Sequence, residues 1–300
     1  MKKLMAICLL ALCLAPAVMA RDIAPVVDAA WLEANLSNPR LVVLDMRAPA
    51  DFKAGHVPGA ASVLGTTVYV AKGELKNEVP EADDLTDVLQ AAGVKADSLV
   101  VVVETDASRF AWATRVAWTL KYAGLANVAV LDGGYKAWAA AAKPVQTEAV
   151  AKSGDFQVKK YADALFADKA YVLKAAKAQI VDARNYDTYF GLSKQAFVAQ
   201  AGHFPGAYSL PYNWITTPEG MVRPKAELEA MAAKIGLSAK TETIVLCDSG
   251  VLCTAWWWIF SEVLEWKNVR SFDGSSQALT NDATLKASDP AVKYVTHTWR

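Results

Sequence analysis

The feature that most constrains this chain is that it repeats itself. LVVLDMR at 41–47 has a counterpart in QIVDAR at 179–184, GHVPGA at 55–60 in GHFPGA at 202–207, and VAVLDGG at 128–134 in VRSFDGS at 269–275. The order is the same in both copies, and the offsets from Asp45 to Asp182, His56 to His203 and Asp132 to Asp273 are 137, 147 and 141 residues. A repeat of that length is a duplicated domain and not a short-period solenoid. Within each copy, continuous apolar runs such as LVVVV at 99–103 alternate with segments of helical period. Such runs read as strands buried on both faces, so the expected fold class is α/β: two tandem domains, each a parallel sheet with helices on both faces.

Residues 1–20 stand outside this repeat. Lys2 and Lys3 precede an uncharged apolar run that ends in Val18-Met19-Ala20. The pattern is that of a secretory signal peptide with cleavage after Ala20, and the run is short of the ~20 residues that span a bilayer. The expected location is therefore periplasmic or secreted, with no membrane attachment after cleavage. The expected domains are 21–142 and 156–300, joined by a linker at 143–155 that has a proline, small residues and no periodicity. Of four cysteines, Cys8 and Cys13 leave with the signal, which leaves Cys247 and Cys253 and no disulfide framework. With 31 basic and 31 acidic side chains and no basic run, nucleic-acid binding has no electrostatic support. Three histidines without close pairing make a metal site improbable, and no cofactor is expected.

Both remaining thiols fall in IVLCDSGVLCTAWWWIF at 244–260. In the repeat, residues 242–246 correspond to the strand at 99–103, so Cys247 stands at a carboxyl strand end, where parallel sheets bind ligands. The loop Asp248, Ser249, Gly250, Val251, Leu252 follows, and a helix begins near Cys253. A free thiol of pKa ~8.5 is only about 3% ionised at pH 7. Loop amides curled around the sulfur, with Gly250 giving the backbone room, favour the thiolate and equally a persulfide. Cys253 is open to two readings: a second redox thiol able to pair with Cys247, or an inward-packed apolar side chain. Trp256, Trp257 and Trp258 read as core and domain-interface packing.

With these motifs in view, the chain resembles the tandem-domain rhodanese-family sulfurtransferases, of the thiosulfate and 3-mercaptopyruvate types. The resemblance implies transfer of sulfane sulfur through a persulfide on Cys247, and a first domain that is catalytically silent, with Glu104 near the equivalent position. It implies a small-molecule sulfur donor and a cyanide, thiol or protein-thiol acceptor. It also makes Ser249 and His56 candidate assistants in proton handling; for His56 a turn-organising role is the competing reading. The family usually carries a substrate-binding arginine where this chain has Thr188, which puts efficient use of anionic donors in question and leaves Arg184 and Lys194 as candidate substitutes. Two further functions compete: a sulfur carrier with little turnover, and a thiol–disulfide exchange enzyme using Cys247 and Cys253.

Overall fold

The computed structural model describes residues 21–283, 285 and 294–296; the expected signal peptide lies outside them. Twelve strands are found among the described residues, ten of them in two five-stranded sheets. The first sheet contains β1 (Val26–Val27), β2 (Leu41–Asp45), β3 (Ala61–Ser62), β6 (Leu99–Val103) and β7 (Val128–Leu131), between which lies a hairpin of β4 (Val70–Lys72) and β5 (Leu75–Glu78). The second contains β8 (Phe166–Ala167), β9 (Gln179–Asp182), β10 (Tyr208–Ser209), β11 (Thr243–Leu246) and β12 (Val269–Phe272). Spatial order is β1-β7-β6-β2-β3 in the first and β8-β12-β11-β9-β10 in the second, and every pair within the two sheets is parallel. The two orders correspond strand for strand, so the sequence repeat is a repeat of topology.

The central strands explain themselves. All five residues of β6 and all four of β11 are buried, as expected of apolar strands covered on both faces. In each sheet the chain turns one way after β2 or β9 and the other way after β6 or β11. The crevice at this reversal lies beyond the carboxyl ends of the central pair. β9 and β11 run in register there, with Leu246 opposite Asp182. Cys247 and Arg184, which follow these strands, therefore come to the same crevice.

The two domains pack through the Phe110–Tyr122 helix of the first and the Cys253–Trp258 helix of the second. Trp256, Trp257 and Trp258 are fully buried there, and each indole N–H has an acceptor: the carbonyls of Pro211 (3.2 Å), Val269 (3.0 Å) and Pro25 (3.1 Å). Their burial carries apolar area out of water while no polar atom is left unpaired. They are scaffold, in keeping with the expectation for this stretch.

At the centre of the seam a fully buried ion pair joins Arg115 of the first domain to Asp273 of the second. The Arg115 guanidinium also donates to the carbonyls of Gly250, at 2.9 Å, and Asn77. Asp273 accepts a further hydrogen bond from the Val79 amide at 3.0 Å. The arrangement has a mirror: Asp132, the counterpart of Asp273, accepts from the Val222 amide of the second domain at 2.8 Å. Each domain thus lends a hairpin-like segment to cover the loops of the other. Removing one member of a buried pair strands the other charge, at a cost of about 3–5 kcal/mol. Asp273→Asn is expected to lower stability by that amount, read as a lower urea midpoint; an unchanged midpoint would contradict the role given to the pair.

Candidate active site

Cys247 follows β11 directly and is buried, yet it borders a cavity of about 300 Å³ lined by both domains. Above it the loop 248–252 turns back on itself. Gly250 takes φ +79°, and a Cβ there would lie 2.4 Å from the Asp273 carbonyl and 3.0 Å from Arg115 Nη1. The left-handed backbone and the close approach of the domain seam both demand glycine. Beneath the loop, Ser275 Oγ accepts from the amides of Cys247 (3.1 Å) and Gly250 (3.2 Å) and donates to the Phe272 carbonyl (2.7 Å). The amides of Ser276 and Gln277 bond the carbonyls of Cys247 (3.1 Å) and Asp248 (3.0 Å). The loop is therefore pinned from below by the residues that follow β12.

This geometry sets the charge of the sulfur. Burial alone pushes the Cys247 thiol up, and the Asp248 carboxylate pushes the same way. Hydrogen bonds from the Cys253 thiol and from the amides of Cys253 and Ser249 outweigh them, and the net direction is down. Cys253 moves oppositely: burial first, then its bond to the Cys247 sulfur, hold its proton well above the ordinary range. The environment therefore favours ionisation of Cys247 over that of Cys253. No disulfide joins them.

The remaining predicted residues divide. Asp248, Ser249, Val251 and Leu252 line the cavity, as do Thr188 and Arg184. Arg184 is committed elsewhere: it binds Asp182 through Nε (2.9 Å) and Nη2 (2.6 Å) and donates to the Gly202 carbonyl at 2.8 Å. Its remaining Nη1 lies 3.5 Å from Asp248. Arg47 binds Asp45 and the Gly55 carbonyl in the same way in the first domain, so this is a structural clamp common to both copies. Lys194 is not part of the cavity lining; its Nζ donates to the Val198 carbonyl at 2.7 Å. The structure does not bring His56 to Cys247 either. His56 is fully buried in the first domain, stacked on Phe52 at 3.7 Å with Nδ1 2.8 Å from the Phe52 carbonyl. His203 stacks on Tyr189 in the matching way. The imidazoles organise turns.

Two functional residues are absent from the sequence reading. Asn77, in β5 of the first domain, donates through Nδ2 to Ser249 Oγ at 2.8 Å and lines the cavity. It takes φ +58°, a conformation held by Arg115 on its carbonyl. Because the Ser249 oxygen already accepts, its own proton is available to a ligand. Ser275 is the other; the repeat offered the clue, since it replaces Gly134 of the first copy while keeping a left-handed φ of +48°. At the position matching Cys247, the first domain has Glu104, buried against Arg109 at 3.5 Å, with its carboxyl raised by burial.

Two measurements follow from this geometry. Alkylation of Cys247 by iodoacetamide requires the thiolate, and the depressed pKa means that the half-maximal rate falls at a pH below the ~8.5 of a free thiol; a midpoint at or above that value would contradict the loop's role. Gly250→Ala is expected to raise that midpoint and destabilise the protein by about 1–3 kcal/mol, since the strained backbone and the Asp273 contact displace the loop; unchanged alkylation and melting would refute the requirement for glycine.

The Rhodanese-like domain family matches this chain twice, over residues 28–141 and 166–282. The chain is 26% identical to the thiosulfate sulfurtransferase of Azotobacter vinelandii, covering 83% of this chain and 92% of that protein. It is 24% identical to the sulfur carrier protein TtuD of Thermus thermophilus, covering 82% and 90%. The crystal structure of SseA from Escherichia coli, described as a 3-mercaptopyruvate sulfotransferase, superposes with a TM-score of 0.75 at 25% identity, over 84% of this chain and 99% of SseA. The two matched segments are the two copies of the repeat, and the fold they form is shared with SseA. The chain belongs to the rhodanese-like domain family.

Proposed function

We propose that this protein is an exported sulfurtransferase that carries sulfane sulfur as a persulfide on Cys247. The observation that carries the proposal is the position of Cys247, at the carboxyl end of β11 and bordering a cavity between the domains. In the loading step the Cys247 thiolate attacks the outer sulfur of a donor persulfide, R–S–SH. A Cys247–sulfur bond forms, the donor's S–S bond breaks, and R–S⁻ leaves with the electron pair. In the second step an acceptor thiolate or cyanide attacks the outer sulfur, and the Cys247 thiolate is the leaving group. The loop amides favour the thiolate in the resting state and the negative outer sulfur in the loaded one. Export is inferred from the first twenty residues; on that reading the mature chain starts at Arg21, whose guanidinium pairs with Glu262.

The cavity lining supports a choice of donor. Among the described residues that line it, Arg184 is the one cation; its Nε and Nη2 are taken by Asp182 and Gly202, and its Nη1 lies 3.5 Å from the Asp248 carboxylate. The rest of the wall combines the Asp248 carboxylate with amide, hydroxyl, aliphatic and aromatic side chains, including Asn185, Gln195, Leu252 and Trp112. Thr188 contributes a hydroxyl, which shares a hydrogen bond with Ser193 at 3.2 Å and cannot replace a guanidinium fork. Such a wall suits an organic persulfide or a protein persulfide better than a small dianion such as thiosulfate.

The test is mass spectrometry of the mature protein after exposure to an organic persulfide, thiosulfate or 3-mercaptopyruvate. Cys247 is expected to gain one sulfur, fastest from the organic persulfide, and Cys247→Ser none; no adduct with any donor would overturn the proposal. Steady-state transfer to cyanide distinguishes an enzyme, which cycles, from a carrier, which loads once.

A further inference from the structure

The transfer reaction leaves one buried thiol unused. Cys253 opens the helix behind the loop and is fully buried. Its Sγ lies 3.7 Å from Ser271 Oγ and 4.0 Å from Ser275 Oγ, and that same Ser275 oxygen is 3.8 Å from Cys247 Sγ. The two sulfurs thus converge on one hydroxyl at the floor of the site. Cys247 borders the cavity and Cys253 does not. A persulfide on Cys247 therefore has room for its outer sulfur on the cavity side, while its inner sulfur and Cys253 share the Ser275 hydroxyl as a neighbour.

We infer that Cys253 is a resolving thiol that discharges a Cys247 persulfide as hydrosulfide when no acceptor occupies the cavity. The inference rests on the persulfide reading above. Cys253 Sγ attacks the inner sulfur, a Cys247–Cys253 disulfide bond forms, and the bond between inner and outer sulfur breaks. The electron pair leaves on the outer sulfur, which takes the Cys253 proton and departs as HS⁻. The outer sulfur is reduced and the two cysteine sulfurs are oxidised, so the sulfane sulfur is itself the oxidant. A dithiol reductant then reopens the disulfide. Hydrosulfide is a good leaving group, which favours attack at the inner sulfur. The Arg115 guanidinium acts on Cys253 in the direction that favours its thiolate, whereas burial opposes ionisation more strongly. The attacking form is scarce, and discharge is slower than transfer to an acceptor already in the cavity.

The experiment uses the full mature chain, loaded with inorganic polysulfide, freed of excess and held anaerobically without acceptor or reductant. Intact mass and released sulfide are followed for wild type, Cys253→Ser and Cys253→Ala. In the wild type the one-sulfur adduct is expected to decay with stoichiometric sulfide release. The product is lighter than the reduced protein by two hydrogens, and digestion shows a Cys247–Cys253 linked peptide. Both variants are expected to keep the adduct on Cys247 and to lose sulfide release. A wild-type adduct that persists as long as that of the variants would overturn the inference and leave the transferase reading standing. Failure of all three proteins to take sulfur on Cys247 would overturn both.

Discussion

The buried pair of Arg115 and Asp273 is the interaction on which the rest of the structure depends. It joins the two domains, and the same guanidinium holds the Gly250 carbonyl of the reactive loop and the Asn77 carbonyl of the covering hairpin. Desolvating two charges is costly, and only a dense set of partners offsets it. Here that set consists of two backbone carbonyls on one side and the Val79 amide on the other. The charge pair thus fixes three backbones in one place, and the place is the loop that aims Cys247.

Seen this way, the domain without a thiol is a working half of the site. It supplies Asn77 to orient Ser249, Arg115 to fix Gly250, and Trp112 to the cavity wall. The second domain supplies the sulfur, the amides around it and the Ser275 hydroxyl below. The covering segments are exchanged pseudo-symmetrically, Val79 to Asp273 and Val222 to Asp132. At the position matching Cys247 the first domain instead has Glu104 paired to Arg109.

Much of this was legible in the sequence because it is local. Apolar runs such as 99–103 and 243–246 mark central strands, the repeat gives the second topology once the first is read, and Cys247 follows from its place after a strand. What was not legible lies in contacts between distant residues. Asn77 and Ser249 are 172 positions apart, and Arg115 and Asp273 158. No spacing rule pairs them; only the packing of one domain on the other does. His56 illustrates the converse. A histidine in a glycine-rich turn resembles a catalytic group in sequence, yet its stack on Phe52 takes it away from the cavity. Arg184 likewise reads as a ligand-binding cation until its clamp on Asp182 is seen. Ser275 was the one hidden residue with a signal, a serine where the first copy has glycine.

The residence of sulfur on Cys247, with Ser249 on its cavity side, is open to direct observation in a crystal structure of the Cys253→Ser protein frozen after loading with polysulfide. One additional sulfur is expected, bonded to Cys247 Sγ, directed into the cavity and within hydrogen-bonding reach of the Ser249 hydroxyl. An unmodified Cys247 in crystals of protein whose mass shows the added sulfur would contradict it.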